Sequence, residues 1–171
     1  MRIVTWNLNG IRAAHRKGLD DFIEKIDSDI WLFQEVRALP EQMPNNWNPP
    51  EKHEIIWHPA QKKGYSGVST WSRIGISDEG RGIKTNVDSD DSEGRVLHTK
   101  HDNLHCINIY LPNGGANIER QKFKDKWLED LLFWAKKFTD IKEPVLLCGD
   151  LNIAHMENDI WNPSGNKNTS G

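Results

Sequence analysis

Apolar and polar residues follow two different periods along this chain, and the switches between them mark its elements. Ile3 to Trp6 is a short strand-like run. Leu19, Phe22, Ile23 and Ile26 recur at i, i+3, i+4 and i+7, the spacing of one helix face, with Gly18 just before them. Ile30 to Phe33 is an unbroken apolar run of strand length that ends at Gln34-Glu35. The result is a strand–helix–strand unit with polar residues at each strand's C-terminal end, where open α/β sheets place their ligands. Leu39 to Pro50 holds four prolines and three asparagines and reads as a loop. Further strand-like pieces follow at Glu54 to Trp57, Val68 to Trp71, Arg95 to Thr99 and Leu104 to Leu111. The acidic run Asp88-Ser89-Asp90-Asp91-Ser92-Glu93 reads as a solvated hairpin tip. Phe123, Trp127, Leu131 and Trp134 recur every three or four residues and predict a helix over Ile118 to Phe138. Pro144 then introduces Val145 to Cys148, a buried strand running into Gly149-Asp150-Leu151-Asn152. No internal repeat or low-complexity linker divides the chain, so the pattern predicts a mixed α/β domain.

Composition narrows this picture only slightly. The 171 residues suit one domain, and although only 36% are hydrophobic, 8 tryptophans supply large side chains for a core. A formal net charge of -3 argues against a protein that coats nucleic acid by bulk charge, while leaving room for a local basic groove. No apolar run is long enough to span a membrane, and Met1 to Trp6 lacks the pattern of a secretion signal. Cys106 and Cys148 both lie in apolar strand-like runs, which favours packed, reduced thiols and an intracellular protein.

The polar residues at the strand ends carry the candidate chemistry. Singly, each has a plain structural role: Asn7 as a turn former, Glu35 as a solvated carboxylate, Asp150 as a turn cap, Tyr110 as a strand aromatic. Together they put oxygen-bearing side chains at three separate strand ends: Asn7, Glu35 and the Asp150/Asn152 pair. Hard oxygen ligands of mixed charge suit Mg²⁺ or Mn²⁺. A zinc site is not expected, since the seven histidines show no zinc-like spacing and the two cysteines lie far apart in sequence.

Thr5-Trp6-Asn7-Leu8-Asn9-Gly10-Ile11-Arg12-Ala13, Gln34-Glu35, Gly64-Tyr65-Ser66-Gly67-Val68, Glu93-Gly94-Arg95, Tyr110-Leu111-Pro112-Asn113-Gly114, Gly149-Asp150-Leu151-Asn152 and Asn162-Pro163-Ser164-Gly165-Asn166 occur in that order. Together they resemble the exonuclease III (apurinic/apyrimidinic endonuclease) family of the endonuclease/exonuclease/phosphatase superfamily. Glu35 and Asp150-x-Asn152 point to the superfamily, and Gly-Tyr-Ser-Gly-Val with Asn-Pro-x-x-Asn points to its DNA-repair branch. The resemblance implies a four-layer α/β sandwich and metal-dependent hydrolysis of DNA phosphodiesters. The implied activity is cleavage at abasic sites, with 3′→5′ exonuclease or 3′-end repair, on double-stranded DNA with abasic sites or blocked 3′ ends. It implies Glu35 as the principal metal ligand with Asn7 beside it, and Asp150, supported by Asn152, as the group that orients and deprotonates water. Tyr110 is similar to the tyrosine that reaches the scissile phosphate, and Arg12, Tyr65, Asn113 and Asn166 match positions that hold the DNA backbone. Arg16 and Lys17 lie near a basic family site.

The departure from the family pattern is at the C-terminus. The family continues with a further aspartate and a Ser-Asp-His element, and this sequence contains no such tripeptide. His155 follows the Asp150/Asn152 motif closely but matches a non-catalytic position. The expectation is therefore a single nuclease domain lacking its C-terminal part, with one sheet face, or at least an edge, open to water. The full-length family is monomeric, whereas such a chain is expected to associate through its open surface. Two other readings fit less of the pattern: a catalytically dead fragment that binds DNA or metal, and a superfamily phosphodiesterase acting on RNA, lipid or inositol phosphates.

Overall fold

The computed structural model describes residues 1–83, 91–115 and 118–166. Two four-stranded sheets stack face to face. The first contains β1 (Ile3–Asn7), β2 (Ile30–Gln34), β3 (Glu54–His58) and β4 (Val68–Ser72), in the order β1-β2-β4-β3. The second contains β5 (Asp78–Arg81), β6 (Val96–His101), β7 (Leu104–Tyr110) and β8 (Val145–Asp150), in the order β5-β6-β7-β8. β1 runs parallel to β2 and β7 parallel to β8, while the remaining neighbours are antiparallel.

Strand parity explains why β2 reads as a continuous apolar run and why β7 is buried along most of its length: both of their faces are covered. Ile30 and Leu32 point inward and pack with Cys106, Leu146 and Cys148 between the sheets. Trp31 and Phe33 point outward and pack with Ile11, Leu19 and Ile23 of two short helices, α1 (Ile11–Arg16) and α2 (Leu19–Ile26). On the other side, Ile107 and Ile109 of β7 meet Trp127, Leu131 and Trp134 of α3 (Ile118–Ala135), which continues as a 3₁₀ turn over Lys136–Phe138. The layers are helix, sheet, sheet, helix. Cys106 and Cys148 are free thiols, and burial pushes the Cys106 thiol up to about 12, so it is inert at neutral pH.

Several expectations shift here. The first helix, α1, has too short an apolar repeat to be seen in sequence, and it starts because Gly10, at φ 102, turns the chain after β1. The strand β5 carries no apolar pattern (Asp-Glu-Gly-Arg) and is held by its ladder to β6. Part of the expected Leu39–Pro50 loop, Pro40–Gln42, forms a 3₁₀ turn. The acidic run is not a solvated tip where it is described. The Asp91 carboxylate accepts the backbone N–H groups of Arg95 and Val96 and pairs with His58, and Glu93 is gripped by two arginines. Asp88, Ser89 and Asp90 lie outside the described residues. Among the described residues the inner faces of the two sheets cover each other. Open ground lies at the adjacent strands β1 and β8, where Trp6, Val145 and Leu147 are exposed; Val145 and Leu147 stand on the side of β8 opposite the inward-facing Leu146 and Cys148.

Candidate active site

The stacking of the sheets brings four strand ends together. Parallel pairing aligns the C-terminal ends of β1 and β2 in one sheet and of β7 and β8 in the other. Across the sandwich β1 lies next to β8, and β2 next to β7. Asn7 therefore meets Asp150, and its Nδ2 donates to Asp150 Oδ2 at 2.7 Å. Glu35, the residue after β2, meets Tyr110, whose hydroxyl donates to Glu35 Oε1. Tyr110 and Asp150 are register partners, which joins the two pairs into one centre.

Backbone geometry fixes each member. Gly149 sits at φ 147, and a Cβ there would lie 1.9 Å from the Ile109 carbonyl oxygen, so only glycine lets β8 approach β7 just before Asp150. Asn9, Glu35, Arg37 and Asn152 all adopt left-handed backbone conformations, cheap for asparagine but costing about 1 kcal/mol or more for Glu35 and Arg37. The Asn7 side chain closes a small turn by accepting the Asn9 N–H at 2.9 Å. Asp150 Oδ1 accepts the Asn152 N–H at 3.1 Å, and Asn152 Nδ2 donates to the Leu111 carbonyl at 2.9 Å. Beneath the centre, Gln34 Nε2 donates to Asn108 Oδ1 at 2.7 Å, and Asn108 Nδ2 donates to the Phe33 and Ser69 carbonyls, a fully buried polar bridge between the sheets.

Electrostatics set the protonation states. Burial, reinforced by the hydrogen bond and charge of Glu35, holds the Tyr110 phenol well above its ordinary range, with Arg95 pulling the other way. Tyr110 is thus a proton-bearing donor at neutral pH. Arg37 reaches Glu35 Oε2 at 2.6 Å with its side chain 42% exposed. Behind the Asp150 turn, the buried Lys124 of α3 donates to the Asn152 carbonyl at 2.7 Å, and burial lowers its pKa. Two cavities open beside these groups. One of about 380 Å³ is lined by Gly149 to Ala154, Asp159 and Ile160, and one of about 400 Å³ by Gly10, Arg12, Ala13, Arg16, Val36, Arg37 and Gly64.

The structure therefore joins Asn7, Glu35, Tyr110, Asp150 and Asn152, while the expected backbone-holding residues lie on separate segments. Arg12 is on α1, in the arginine-lined cavity. The Tyr65 hydroxyl sits among Glu93, Arg95 and Arg120. Asn113 accepts the Gly115 N–H, and the Asn166 amide donates to the Trp161 and Asn162 carbonyls. Sequence reasoning missed Arg37, Lys124 and the Glu93 cluster. Arg37 stands two residues after Glu35 and could have been flagged, but Lys124 lies on a helix whose polar pattern carries no signal.

For a metal, the donor set is two carboxylates, Glu35 and Asp150, and the Asn7 amide oxygen. Among the described residues no group of three His, Cys, Asp or Glu side chains could hold an ion. That set fits a cation such as Mg²⁺, which is bound through one or two carboxylates and keeps several waters, and does not fit zinc.

The chain is similar to an exodeoxyribonuclease of Bacillus subtilis, with 37% identity over the whole chain and 66% of that protein. It is also similar to a DNA-(apurinic or apyrimidinic site) endonuclease of Dictyostelium discoideum, with 32% identity over the whole chain and 47% of that protein. Among solved structures, a 3′-5′ exonuclease from Neisseria meningitidis superposes with a TM-score of 0.87 at 24% identity, over 99% of this chain and 65% of that one. The chain thus spans about half to two thirds of the length of these relatives. The model of the endonuclease/exonuclease/phosphatase family matches residues 4–170, nearly the whole chain, and the protein belongs to that family.

Proposed function

We propose that this chain is the metal- and phosphate-facing part of a single nuclease domain that hydrolyses DNA phosphodiesters in repair. The activity is abasic-site cleavage 5′ to the sugar, with 3′→5′ exonuclease or 3′-end repair on double-stranded DNA. The observation that carries this reading is the convergence at one end of the sandwich: Asn7 on Asp150 at 2.7 Å and Tyr110 on Glu35. The names of the relatives in B. subtilis and D. discoideum support the DNA-repair branch.

Hydrolysis needs an aligned water and relief of the charge that grows on the phosphate oxygens. Asp150 orients and deprotonates the water, and Asn7 and the Asn152 N–H keep its carboxylate aimed. Tyr110 keeps its proton and donates toward the phosphate without adding negative charge. Glu35, with Asn7 and the Asp150/Asn152 pair, would hold Mg²⁺ or Mn²⁺, which supplies charge stabilisation for the phosphate when bound. Arg37 pairs with the same Glu35 carboxylate at 2.6 Å. Arg12, Tyr65, Asn113 and Asn166 hold the DNA backbone, Arg12 beside Arg16 and Arg37 in the basic cavity. No helix among the described residues is long and apolar enough to cross a membrane. An intracellular location follows from the reading as a DNA-repair nuclease.

The test is incision of a duplex with one abasic site, with Mg²⁺ and with chelator, by the parent protein and by Glu35→Ala and Asp150→Asn variants. Mg²⁺-dependent cutting that both variants lose supports the reading. Cutting at the parent rate by both variants overturns the assigned roles, and binding of DNA without any cutting supports a catalytically dead binder instead.

A further inference from the structure

Glu93, Arg95 and Arg120 form a charged cluster that the proposed chemistry leaves unused. Arg95 is 2% exposed, an unusual depth for a guanidinium. Its Nε donates to Glu93 Oε2 at 2.6 Å, one terminal nitrogen donates to the Tyr110 carbonyl at 2.9 Å, and the other donates to the Tyr65 hydroxyl at 3.1 Å. Its guanidinium carbon lies 4.6 Å from the Tyr110 ring centroid and 5.9 Å from the Tyr65 centroid. Arg120, from α3, donates to both Glu93 oxygens at 3.0 and 2.8 Å and to the Tyr65 hydroxyl at 2.9 Å. Burial alone would raise the Glu93 pKa, but the hydrogen bonds from Arg120 and Arg95 outweigh it and hold the carboxylate ionised. Gly94 lets the chain pass close to the β3 end, since a Cβ there would lie 2.4 Å from the His58 carbonyl oxygen.

A largely buried ion pair is a poor stabiliser compared with an apolar core, so the weight here falls on the arrangement it fixes. Here the arrangement has one direction. Glu93 is the anchor, Arg120 and Tyr65 tether it to α3 and to the Gly64–Gly67 segment, and Arg95 passes the constraint to the back of Tyr110.

We infer that Arg95 is a positioning residue for Tyr110: the Glu93–Arg120 clamp fixes its guanidinium against the Tyr110 ring and main chain, and so aims the hydroxyl at Glu35 and the phosphate site. The functional consequence rests on the nuclease reading above, while the positioning itself does not. A planar guanidinium bonded on three sides and stacked on a ring cannot be replaced by a lysine's point charge.

The chain contains only 2 tyrosines, so 3-fluorotyrosine labelling gives two ¹⁹F resonances, assigned by Tyr65→Phe and Tyr110→Phe. In Arg95→Met and Arg95→Lys the Tyr110 resonance should shift and broaden, with the cooperative thermal transition retained. Should the buried Arg95 variants not fold, Arg120→Gln serves, because the Arg120 side chain is 28% exposed; it should move the Tyr110 line through Glu93 without touching Tyr110. An unchanged Tyr110 resonance in a folded Arg95 variant, or in Arg120→Gln alone, overturns the inference. In protein that cuts DNA, Arg120→Gln should lower kcat about tenfold with KM little changed, the size expected for loss of one aligned contact. A defect confined to KM would make Arg120 a direct DNA contact and overturn the inference. Absence of cutting by the parent protein would defeat the nuclease reading alone and leave the ¹⁹F test standing.

Discussion

The strands β7 and β8 carry a polar cluster at each end, and the two clusters differ in what they leave open. At the N-terminal end of β8, Glu143 takes Lys100 Nζ at 2.7 Å and His105 Nε2 at 2.7 Å, while His105 Nδ1 meets His98 Nε2 at 2.8 Å. The two imidazoles stack at 5.1 Å and Phe138 closes over them. This relay is satisfied within itself. At the C-terminal end, Asp150, Asn7, Glu35 and Tyr110 are also bonded to one another, but cavities of about 380 and 400 Å³ open beside them. Strained left-handed residues gather at that end. Buried polar groups alone therefore do not mark a site; polar groups at the C-terminal strand ends, with strained backbone and open space, do.

The comparison breaks most visibly on a single proton acceptor. Asp150→Asn removes the proposed general base and keeps the shape, so single-turnover incision should fall about 10³-fold with the thermal midpoint nearly unchanged. Glu143→Gln, at the opposite end, should leave incision at the parent rate, and a comparable loss there would erase the distinction. The next effect belongs to the backbone of the active end. Gly149→Ala pushes a methyl into the Ile109 carbonyl and should cost about 3 kcal/mol in urea unfolding, or prevent folding altogether.

The closed end should announce itself through pH. Burial, with the charges of His105 and Lys137, lowers His98 from 6.5 to about 4, with only Asp78 opposing. The unfolded chain therefore binds more protons than the folded one between those values. Stability is full above pH 6.5 and is lost as pH falls toward 4, by about 3 kcal/mol for this group. Unfolding free energies measured across that window should be flatter in His98→Gln, and an equal slope in both proteins would remove His98 as the cause. The smallest effect concerns the brace behind the Asp150 turn. Lys124→Met deletes the hydrogen bond to Asn152 and should cost about 1 kcal/mol in stability, with a few-fold loss of incision.

Much of the fold could be read from period alone. Strands β1, β2, β3, β4, β6, β7 and β8 and helices α2 and α3 follow from apolar spacing, because each buries at least one regular face. The strand β5 could not be read, since its Asp-Glu-Gly-Arg sequence owes its conformation to a neighbour's ladder rather than to burial. Asp91 and Glu93 were misread for a related reason. A run of acidic residues is ordinarily solvated, and only the approach of His58 and Arg120 from distant segments, with the neighbouring Arg95 turned back onto Glu93, makes these two partly buried ion-pair partners.

The site divides in the same way. Residue type and position at strand ends already singled out Asn7, Glu35, Asp150 and Asn152, because oxygen donors gathered there suit a hard cation and because α/β sheets present ligands at those ends, while Tyr110 entered only through the family resemblance. Which of them touch was decided by the stacking of two sheets that are far apart in sequence: Asn7 and Asp150 are 143 residues apart and yet hydrogen-bonded. The same stacking covered the inner faces of both sheets, and the open ground, expected on a face or at least an edge, lies at the adjacent strands β1 and β8. Sequence period records which side of an element is buried. Only the assembled layers decide what buries it, and therefore which distant carboxylate, amide or guanidinium comes within bonding distance.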